Sequence, residues 1–258
     1  MIDIRIMTYN VLHIDENPAN KWEERKELIK KLIERESPDI IGTQECLYSQ
    51  IRDIIEMLPE YEWLGLGRLG GSNGDFMTIY FRKDRFVLLE YDHFWLSDTP
   101  EIIGSMTFGN ETPRMVTWGK FLDRRTGNVF YHMNTHLDYL CEEARKKAAV
   151  LIQTKVKEFQ SNLPVFLTGD FNTDINTEPY DILTKLGSFK DTWDLAREHV
   201  NKTLGTKNDF IDKTGGDSRI DWILSKGVQS VKSIKIIDDC VEGSFPSDHF
   251  AVIVNCKI

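Results

Sequence analysis

Hydrophobic positions in this chain recur with two periods that alternate along its length. From Asp3 to Val11 the apolar Ile4 and Ile6 alternate with polar partners, the period-two signature of a strand, which finishes at Asn10. Trp22 to Glu36 carries Trp22, Leu28, Ile29, Leu32 and Ile33 at helical spacing among many charges, and Ser37-Pro38 stops it. Asp39 to Glu45 is a second strand, ending on an acid. Gln50 to Leu58 is a short helix halted by Pro59, and Tyr61 to Gly67 a further strand. Phe76 to Arg82 and Arg85 to Leu96 read as paired strands across a tight Lys-Asp turn. Met115 to Leu122 and Val129 to Leu137 form a hairpin over Asp123–Asn128, its second strand ending in Asn134-Thr-His-Leu-Asp138.

Cys141 to Gln160 is a long amphipathic helix with Ala144, Ala148, Leu151, Ile152, Val156 and Phe159 inward. With the strand after it, it resembles half of a crossover unit. That strand, Pro164 to Thr168, is apolar on both faces and breaks off at Gly169 into Asp170-Phe-Asn172. Side chains alternate in an extended chain, so Asp170 and Asn172 leave on one side while Phe171 turns back into protein. A helix spans Pro179 to Leu186, and 190–214 is polar and weakly patterned. Strands over Arg219–Leu224, Val228–Ile237 and Ala251–Ile258 close the chain. Many strands with interspersed helices and no hinge linker predict one α/β (α+β) domain over residues 1–258. Its architecture is four layers, an αββα sandwich of two packed mixed sheets with helices on the outer faces.

Composition narrows the picture little until charge is considered. The chain has 258 residues, 41% hydrophobic and 28% charged, ordinary for a globular protein. Its net charge of −9 supplies no positive field for a polyanion, which argues against extended duplex DNA as substrate and leaves short nucleic acid admissible. Cys46, Cys141, Cys240 and Cys256 have no metal-finger or disulfide spacing. No basic and apolar leader opens the sequence and no apolar run reaches the length of a membrane span, so the chain reads as cytoplasmic. No protein partner is evident. The glycine-rich loop 67–74 lacks the Gly-Lys-Ser/Thr ending of a P-loop and reads as a mobile surface loop beside the site. The connection 99–114 has the length of a functional loop.

The polar residues gather at strand ends: Asn10, Glu45, Asn134, His136, Asp138, Asp170, Asn172, Asp221 and Asp248-His249. Ligand sites in α/β structures form at such ends. Singly, Asn10 can satisfy a turn, Glu45 can precede a helix, and His136 or His249 can be a bonded core histidine. Asp221 lies between apolar neighbours, where an acid is costly unless paired.

Thr-Tyr-Asn10, Thr-Gln-Glu45, Asn134-Thr-His136-Leu-Asp138, Gly169-Asp170-Phe-Asn172, Arg219-Ile-Asp221-Trp-Ile and Ser247-Asp248-His249 together resemble the endonuclease/exonuclease/phosphatase superfamily. They do so in its order, from first strand to last. Phe94-Trp-Leu-Ser97 with Thr99-Pro100, and Arg114-x-x-x-Trp118, look like a bacterial branch of metal-dependent hydrolases. The resemblance implies a Mg²⁺ site, with Mn²⁺ as substitute. Glu45 is the principal ligand, with Asn10 and Asp248 in the same acidic patch. It implies that Asp170 handles the attacking water, that Asn172 holds water or phosphate, and that Asp221 steers His249. His136 donates to a phosphoryl oxygen or helps the leaving group. In the family a glutamate often backs the second histidine, a role that falls here to Asp75. Arg114 is a candidate phosphate clamp or a structural ion pair. Asn134 belongs to the substrate-binding set, and Asp138 fits a motif variant without a defined chemical role.

The expected function is hydrolysis of a phosphate ester, mono or di, by in-line attack of water, on a small phosphorylated molecule or a short oligonucleotide. A nuclease of longer nucleic acid, or a silent binding module on the same fold, are the alternatives. Loss of Glu45, Asp170 or His249 would mark the silent module, and all three are present.

Overall fold

The computed structural model describes residues 3–14, 20–240 and 244–258. Its elements run β1 (Ile4–Asn10), α1 (Trp22–Glu36), β2 (Ile40–Cys46), α2 (Tyr48–Met57), β3 (Tyr61–Leu64), β4 (Phe76–Arg82), β5 (Phe86–Trp95), β6 (Met115–Asp123) and β7 (Val129–His136). They continue with α3 (Glu142–Val156), β8 (Val165–Asp170), α4 (Glu178–Leu183), β9 (Lys190–Asp191), α5 (Thr192–Leu195), β10 (Ala196–Val200), β11 (Asp221–Lys226), β12 (Ser230–Ile237) and β13 (Ala251–Lys257).

The strands form two sheets, ordered β10-β12-β13-β1-β2-β4-β3 and β5-β6-β7-β8-β11-β9. Both are mixed: β1 runs parallel to β2 in the first, and β7 parallel to β8 in the second, joined through α3 as a crossover. Alternation along each strand builds three apolar layers. Ile4 and Ile6 of β1 meet Phe130 of β7 and Phe166 of β8 between the sheets. Met7 and Tyr9 of β1 face Ile29, Leu32 and Ile33 of α1. Leu167 of β8 faces Ala148, Ala149 and Ile152 of α3. The four-layer αββα sandwich is therefore the observed fold.

One expected pairing does not form. β4 and β5 follow each other closely in the chain but lie in different sheets, β4 beside β2 and β3, β5 beside β6. The turn residue Arg85 explains the parting. Its buried guanidinium reaches Asp123 at the end of β6 (Nη2–Oδ2 2.7 Å) and Asp39 just before β2 (Nη1–Oδ2 2.7 Å), tying the two sheets where the chain crosses. Phe81 and Phe86 on either side both enter the inter-sheet core. The weakly patterned segment 190–214 also holds short elements, β9, α5 and β10, too brief and polar to show a period.

Toward one end the inter-sheet core turns polar. Asn134 of β7 donates to the carbonyls of Thr43 (2.7 Å) and Thr78 (3.0 Å) in the opposite sheet, and accepts from Gln44 Nε2 at 2.7 Å and Thr168 Oγ1 at 3.1 Å. His132 Nε2 joins Thr168 Oγ1 at 3.0 Å. Gly42 lets the sheets approach here, because a Cβ on it would lie 2.2 Å from Thr168 Oγ1 and 2.6 Å from Asn134 Oδ1. Beyond this polar seam lies the candidate site.

Candidate active site

The seam's faces continue directly into the candidate residues. On β1 the inter-sheet face reads Ile4, Ile6, Thr8 and ends on Asn10; on β7, Phe130, His132, Asn134 and His136; on β8, Phe166, Thr168 and Asp170. β11 runs antiparallel to β8 with Asp221 opposite Asp170, and His249 precedes β13, which is antiparallel to β1. The strand ends thus deliver Asn10, His136, Asp170, Asp221 and His249 to one edge. Glu45 arrives by a different route. Plain alternation from Ile41 would send it toward the helices, but β2 bulges between Thr43 and Cys46, Glu45 adopts φ 60°, and Cys46 takes the helix-facing place. Its carboxylate is thereby turned into the cleft. Asn172, at φ 50°, turns its side chain back beside Asp170 while Phe171 stacks on Trp222 inside. Left-handed backbone thus falls at two of the candidate residues, where it stores strain.

Asp170 is the hub. Its Oδ2 accepts from Asn10 Nδ2 at 3.0 Å and lies 3.5 Å from His136 Nε2 and 3.7 Å from His249 Nε2. Its Oδ1 accepts the Asn172 backbone N–H at 2.9 Å. Asn10 Nδ2 also donates to Glu45 Oε1 at 3.0 Å, so one amide bridges both carboxylates, and Glu45 Oε2 receives His13 Nδ1 at 3.0 Å. His249 Nδ1 donates to the fully buried Asp221 at 2.9 Å, and Asn172 Nδ2 donates to His136 Nε2 at 2.8 Å and to the Leu137 carbonyl at 3.0 Å. Of these, His13, Glu45, His136, Asp170, Asn172 and His249 line a cleft of about 330 Å³ together with Arg68, Asp75, Thr112, Arg114, Tyr139, Lys207 and Asp248, and the fully buried Asn10 and Asp221 stand behind them. A larger hollow of about 730 Å³ along α3 contains none of these strand-end residues.

Residues 7–249, from the first strand to the histidine of the last motif, match the Endonuclease/Exonuclease/phosphatase family. The chain belongs to that family. The fold agrees. It superposes with TM-score 0.92 and 33% identity on the mannosyl-6-phosphatase Bt3783 of Bacteroides thetaiotaomicron, over 97% of this chain and 98% of that one. It is 27% identical to the uncharacterized protein L388 of Acanthamoeba polyphaga mimivirus, over 97% of this chain and 99% of L388. It is 25% identical to Drosophila melanogaster nocturnin, over 82% of this chain but 36% of nocturnin. Members of the family hydrolyse phosphoric esters, and the chain is an enzyme of that class.

Electrostatics give this family member's side chains distinct states. Burial would raise the Glu45 carboxyl, but the hydrogen bonds from His13 and the Asn10 amide oppose it and hold the group ionised, well below the usual range. Burial raises Asp170 toward neutrality, with His249 opposing and Asp221 assisting. Burial alone would depress His249, yet Asp221 and Asp170 overcome it and keep the imidazole protonated above the ordinary histidine range. Burial, with Arg114 beside it, lowers His136 well below that range, so its Nε2 is a neutral acceptor for Asn172.

Most of the expected residues meet in the cleft: Glu45, His136, Asp170, Asn172, Asp248, His249 and Arg114, with Asn10 and Asp221 bonded to them. Asn134 does not. It is fully buried as the clasp between the sheets, its amide consumed by backbone carbonyls. Asp75 lines the cleft but pairs with Arg68 (Oδ2–Nη1 3.0 Å) and leaves His136 Nδ1 without a hydrogen-bond partner, so the expected backing of that histidine is not made. Asp138 accepts from the N–H groups of Leu140 (3.1 Å) and Cys141 (2.8 Å), a loop-forming role that also brings it 3.5 Å from Arg114 Nε. The loop 67–74 does sit beside the site, folded on itself by Gly67 N to Gly71 O (3.0 Å) and Arg68 N to Asp75 O (3.0 Å). His13, Arg68, Thr112, Tyr139 and Lys207 carried no motif. Only His13, three residues after Asn10, stood within reach of a sequence argument.

Proposed function

We propose that the chain is a Mg²⁺-dependent phosphoric ester hydrolase that directs water in line at the phosphorus of a small phosphorylated molecule. The convergence on Asp170 carries this reading: one carboxylate oxygen is shared by Asn10 at 3.0 Å, His136 at 3.5 Å and His249 at 3.7 Å. The donor set fits a hard cation, since Glu45 is held ionised and faces the cleft with Asp170 and Asp248. Glu45 is the principal ligand, supported by Asn10 and Asp248. When bound, the ion supplies positive charge to the phosphoryl oxygens.

The chain's own groups divide the remaining work. Asp170, made more basic by burial, accepts the water proton in its ionised form. His249, kept cationic by Asp221, attracts the phosphoryl oxygens and cannot itself be the base while protonated. Asn172 and His136 orient the water and the phosphoryl group. Arg114 grips further oxygens.

The surroundings support a small ester over a long strand. The cleft of about 330 Å³ has small-ligand size. The loops that supply Arg68, Thr112 and Tyr139 to it also expose Leu69, Ile102, Ile103, Met106 and Leu140, apolar side chains that give a polyanion no charge to follow. Phe108 is buried, and Trp193 and Phe210 pack against the inter-sheet core, which leaves Tyr139 as an exposed aromatic lining the cleft, a single ring where a tracked strand calls for a succession of them. The likeness to the mannosyl-6-phosphatase points the same way, whereas a nuclease reading rests on the likeness to nocturnin.

A pH–rate profile with Mg²⁺ tests the division of labour. Wild type gains activity as Asp170 deprotonates, above the ordinary carboxylate range of about 4, and Asp170→Asn loses that limb with most of its activity. An unchanged acid limb in Asp170→Asn sinks Asp170 as the base.

A further inference from the structure

Two buried side chains outside the cleft lining converge on the backbone that carries its acids. Arg25 of α1 is 2% exposed, and its guanidinium donates to the three carbonyls that follow Asn10. Nη1 reaches Val11 at 2.6 Å, and Nη2 reaches Leu12 and His13 at 3.1 Å each. Nη1 also lies 3.3 Å from the carbonyl of Pro246, two residues before Asp248, and Nε donates to Asn20 at 3.0 Å. Gln50 of α2, fully buried, spans the other side of the same turn. Its Nε2 donates to the Leu12 carbonyl at 2.9 Å, and its Oε1 accepts the N–H of Leu47, two residues after Glu45, at 2.9 Å. Both segments that Gln50 joins contain left-handed backbone in residues other than glycine, Leu12 at φ 51° and Glu45 at φ 60°. Such conformations persist only where the surroundings over-determine them. The Leu12 turn in its turn sets Asn10: the Leu12 N–H donates to Asn10 Oδ1 at 3.0 Å. A backbone N–H can only donate, so the amide oxygen faces the turn and Nδ2 faces Glu45 Oε1 and Asp170 Oδ2, at 3.0 Å each.

We infer that Arg25 and Gln50 are positioning residues of the cation site, side chains of α1 and α2 that hold the strained turns at Leu12 and Glu45 in one register. The inference rests on the hydrolase reading above, in which Glu45 is the principal ligand. Both residues act through backbone. Arg25 ties the 11–13 turn to the segment entering Asp248, and Gln50 ties the same turn to the segment leaving Glu45. Ser247 completes the link, its Oγ donating to the Asn10 carbonyl at 2.7 Å and standing 3.2 Å from Asp248 Oδ1. Asn10, Glu45 and Asp248 are remote in sequence, and these bonds fix the three chain segments that bring them together. Without the bonds the left-handed turns relax, the amide of Asn10 loses its aim, and the carboxylates reach the cleft in many arrangements. Binding a cation then has to restore the single arrangement, which weakens affinity.

The test measures binding of Mn²⁺, used as a paramagnetic substitute for Mg²⁺, to the folded full chain by calorimetry and by the resonance signal of the free ion. Gln50→Leu keeps the approximate volume and removes both hydrogen bonds, and Arg25→Lys keeps the charge but loses the planar fork. Each should raise Kd about ten- to a hundredfold, the usual effect of removing a group that orients metal ligands. The rise in Tm on adding the ion should shrink accordingly. Ile54→Ala is the control for a purely structural role. It removes core packing from the same helix as Gln50 and none of these hydrogen bonds, so it should lower Tm and leave Kd unchanged. Variants that bind Mn²⁺ as tightly as wild type, or an equal loss of affinity in Ile54→Ala, overturn the inference and leave the hydrolase reading standing. A wild type that binds no Mn²⁺, or binds it equally well after Glu45→Gln, overturns the cation site and the inference with it. If Arg25→Lys fails to fold, Gln50→Leu decides by the same constant.

Discussion

Replacing Asp221 with asparagine removes one charge from behind His249 and keeps the shape. Asp221 is fully buried, its Oδ2 is 2.9 Å from His249 Nδ1, and its Oδ1 has no hydrogen-bond partner, so its charge is directed at that ring. Burial opposes the imidazolium, and Asp221 is the foremost influence overcoming it. Each pKa unit corresponds to about 1.4 kcal/mol. Without the carboxylate, burial is opposed only by Asp170 and Asp248, and the His249 imidazolium is held less firmly. Losing a preorganised charged contact to the phosphoryl group costs about 2.7–4 kcal/mol, so kcat should fall about 10²–10³-fold. The assay is kcat against pH on p-nitrophenyl phosphate with saturating Mg²⁺. The alkaline limb, set in wild type by His249 above the ordinary histidine range, should move to lower pH in Asp221→Asn. Stability provides a second readout with a definite sign. A histidine whose folded pKa is raised stabilises the fold fully below the unfolded value of about 6.5 and loses that contribution as pH rises through the folded value. Wild type should therefore exceed the variant most in urea unfolding at acid pH, and the difference should shrink in alkali. A fall of less than about threefold in kcat, a small fraction of that contact energy, with the alkaline limb unmoved, would refute the reasoning.

Other residues separate structural from chemical roles. Asn134→Ala orphans the bonds that clasp Thr43 and Thr78 to β7. It should cost about 2–4 kcal/mol of stability, the sum of one or two buried unsatisfied groups. KM in the folded fraction should stay nearly unchanged; a large KM rise without loss of stability would return Asn134 to the substrate. Asp75→Asn breaks a largely buried pair with Arg68 (side chains 12% and 19% exposed) and no contact to His136, so it should cost stability, about 3–5 kcal/mol for a buried pair broken on one side, while kcat stays within about threefold. A drop of two orders of magnitude would mean that Asp75 does back that histidine in turnover.

The layers were legible because Ile4 and Ile6 of β1 alternate with polar partners while β8 is apolar on both faces, and each strand turns polar only at the end that carries the candidate residues. Asp170 and Asn172 were expected to share a side with Phe171 turned inward, and they do, although Asn172 arrives through a left-handed turn rather than an extended strand. Glu45 could be named from its motif but its direction could not, since a bulge reverses its face. Asn134 misled because an amide at a strand end looks alike whether it meets substrate or a facing sheet; the approach of Gly42 decides, and that is a long-range fact. The parting of β4 from β5 depends on Arg85 reaching Asp39 and Asp123, remote in sequence from it. Arg68, Thr112, Tyr139 and Lys207 come from irregular loops, where periodicity carries no directional information.

The central claim is that water attacks phosphorus under the direction of Asp170 with a divalent cation at Glu45. Turnover of a phosphate ester with Mg²⁺ in ¹⁸O-enriched water tests it most directly. The account predicts ¹⁸O in the released phosphate product and none in the alcohol, with turnover abolished by EDTA, restored by Mg²⁺, and lost in Glu45→Gln. Label in the alcohol, or undiminished turnover in EDTA, would contradict it.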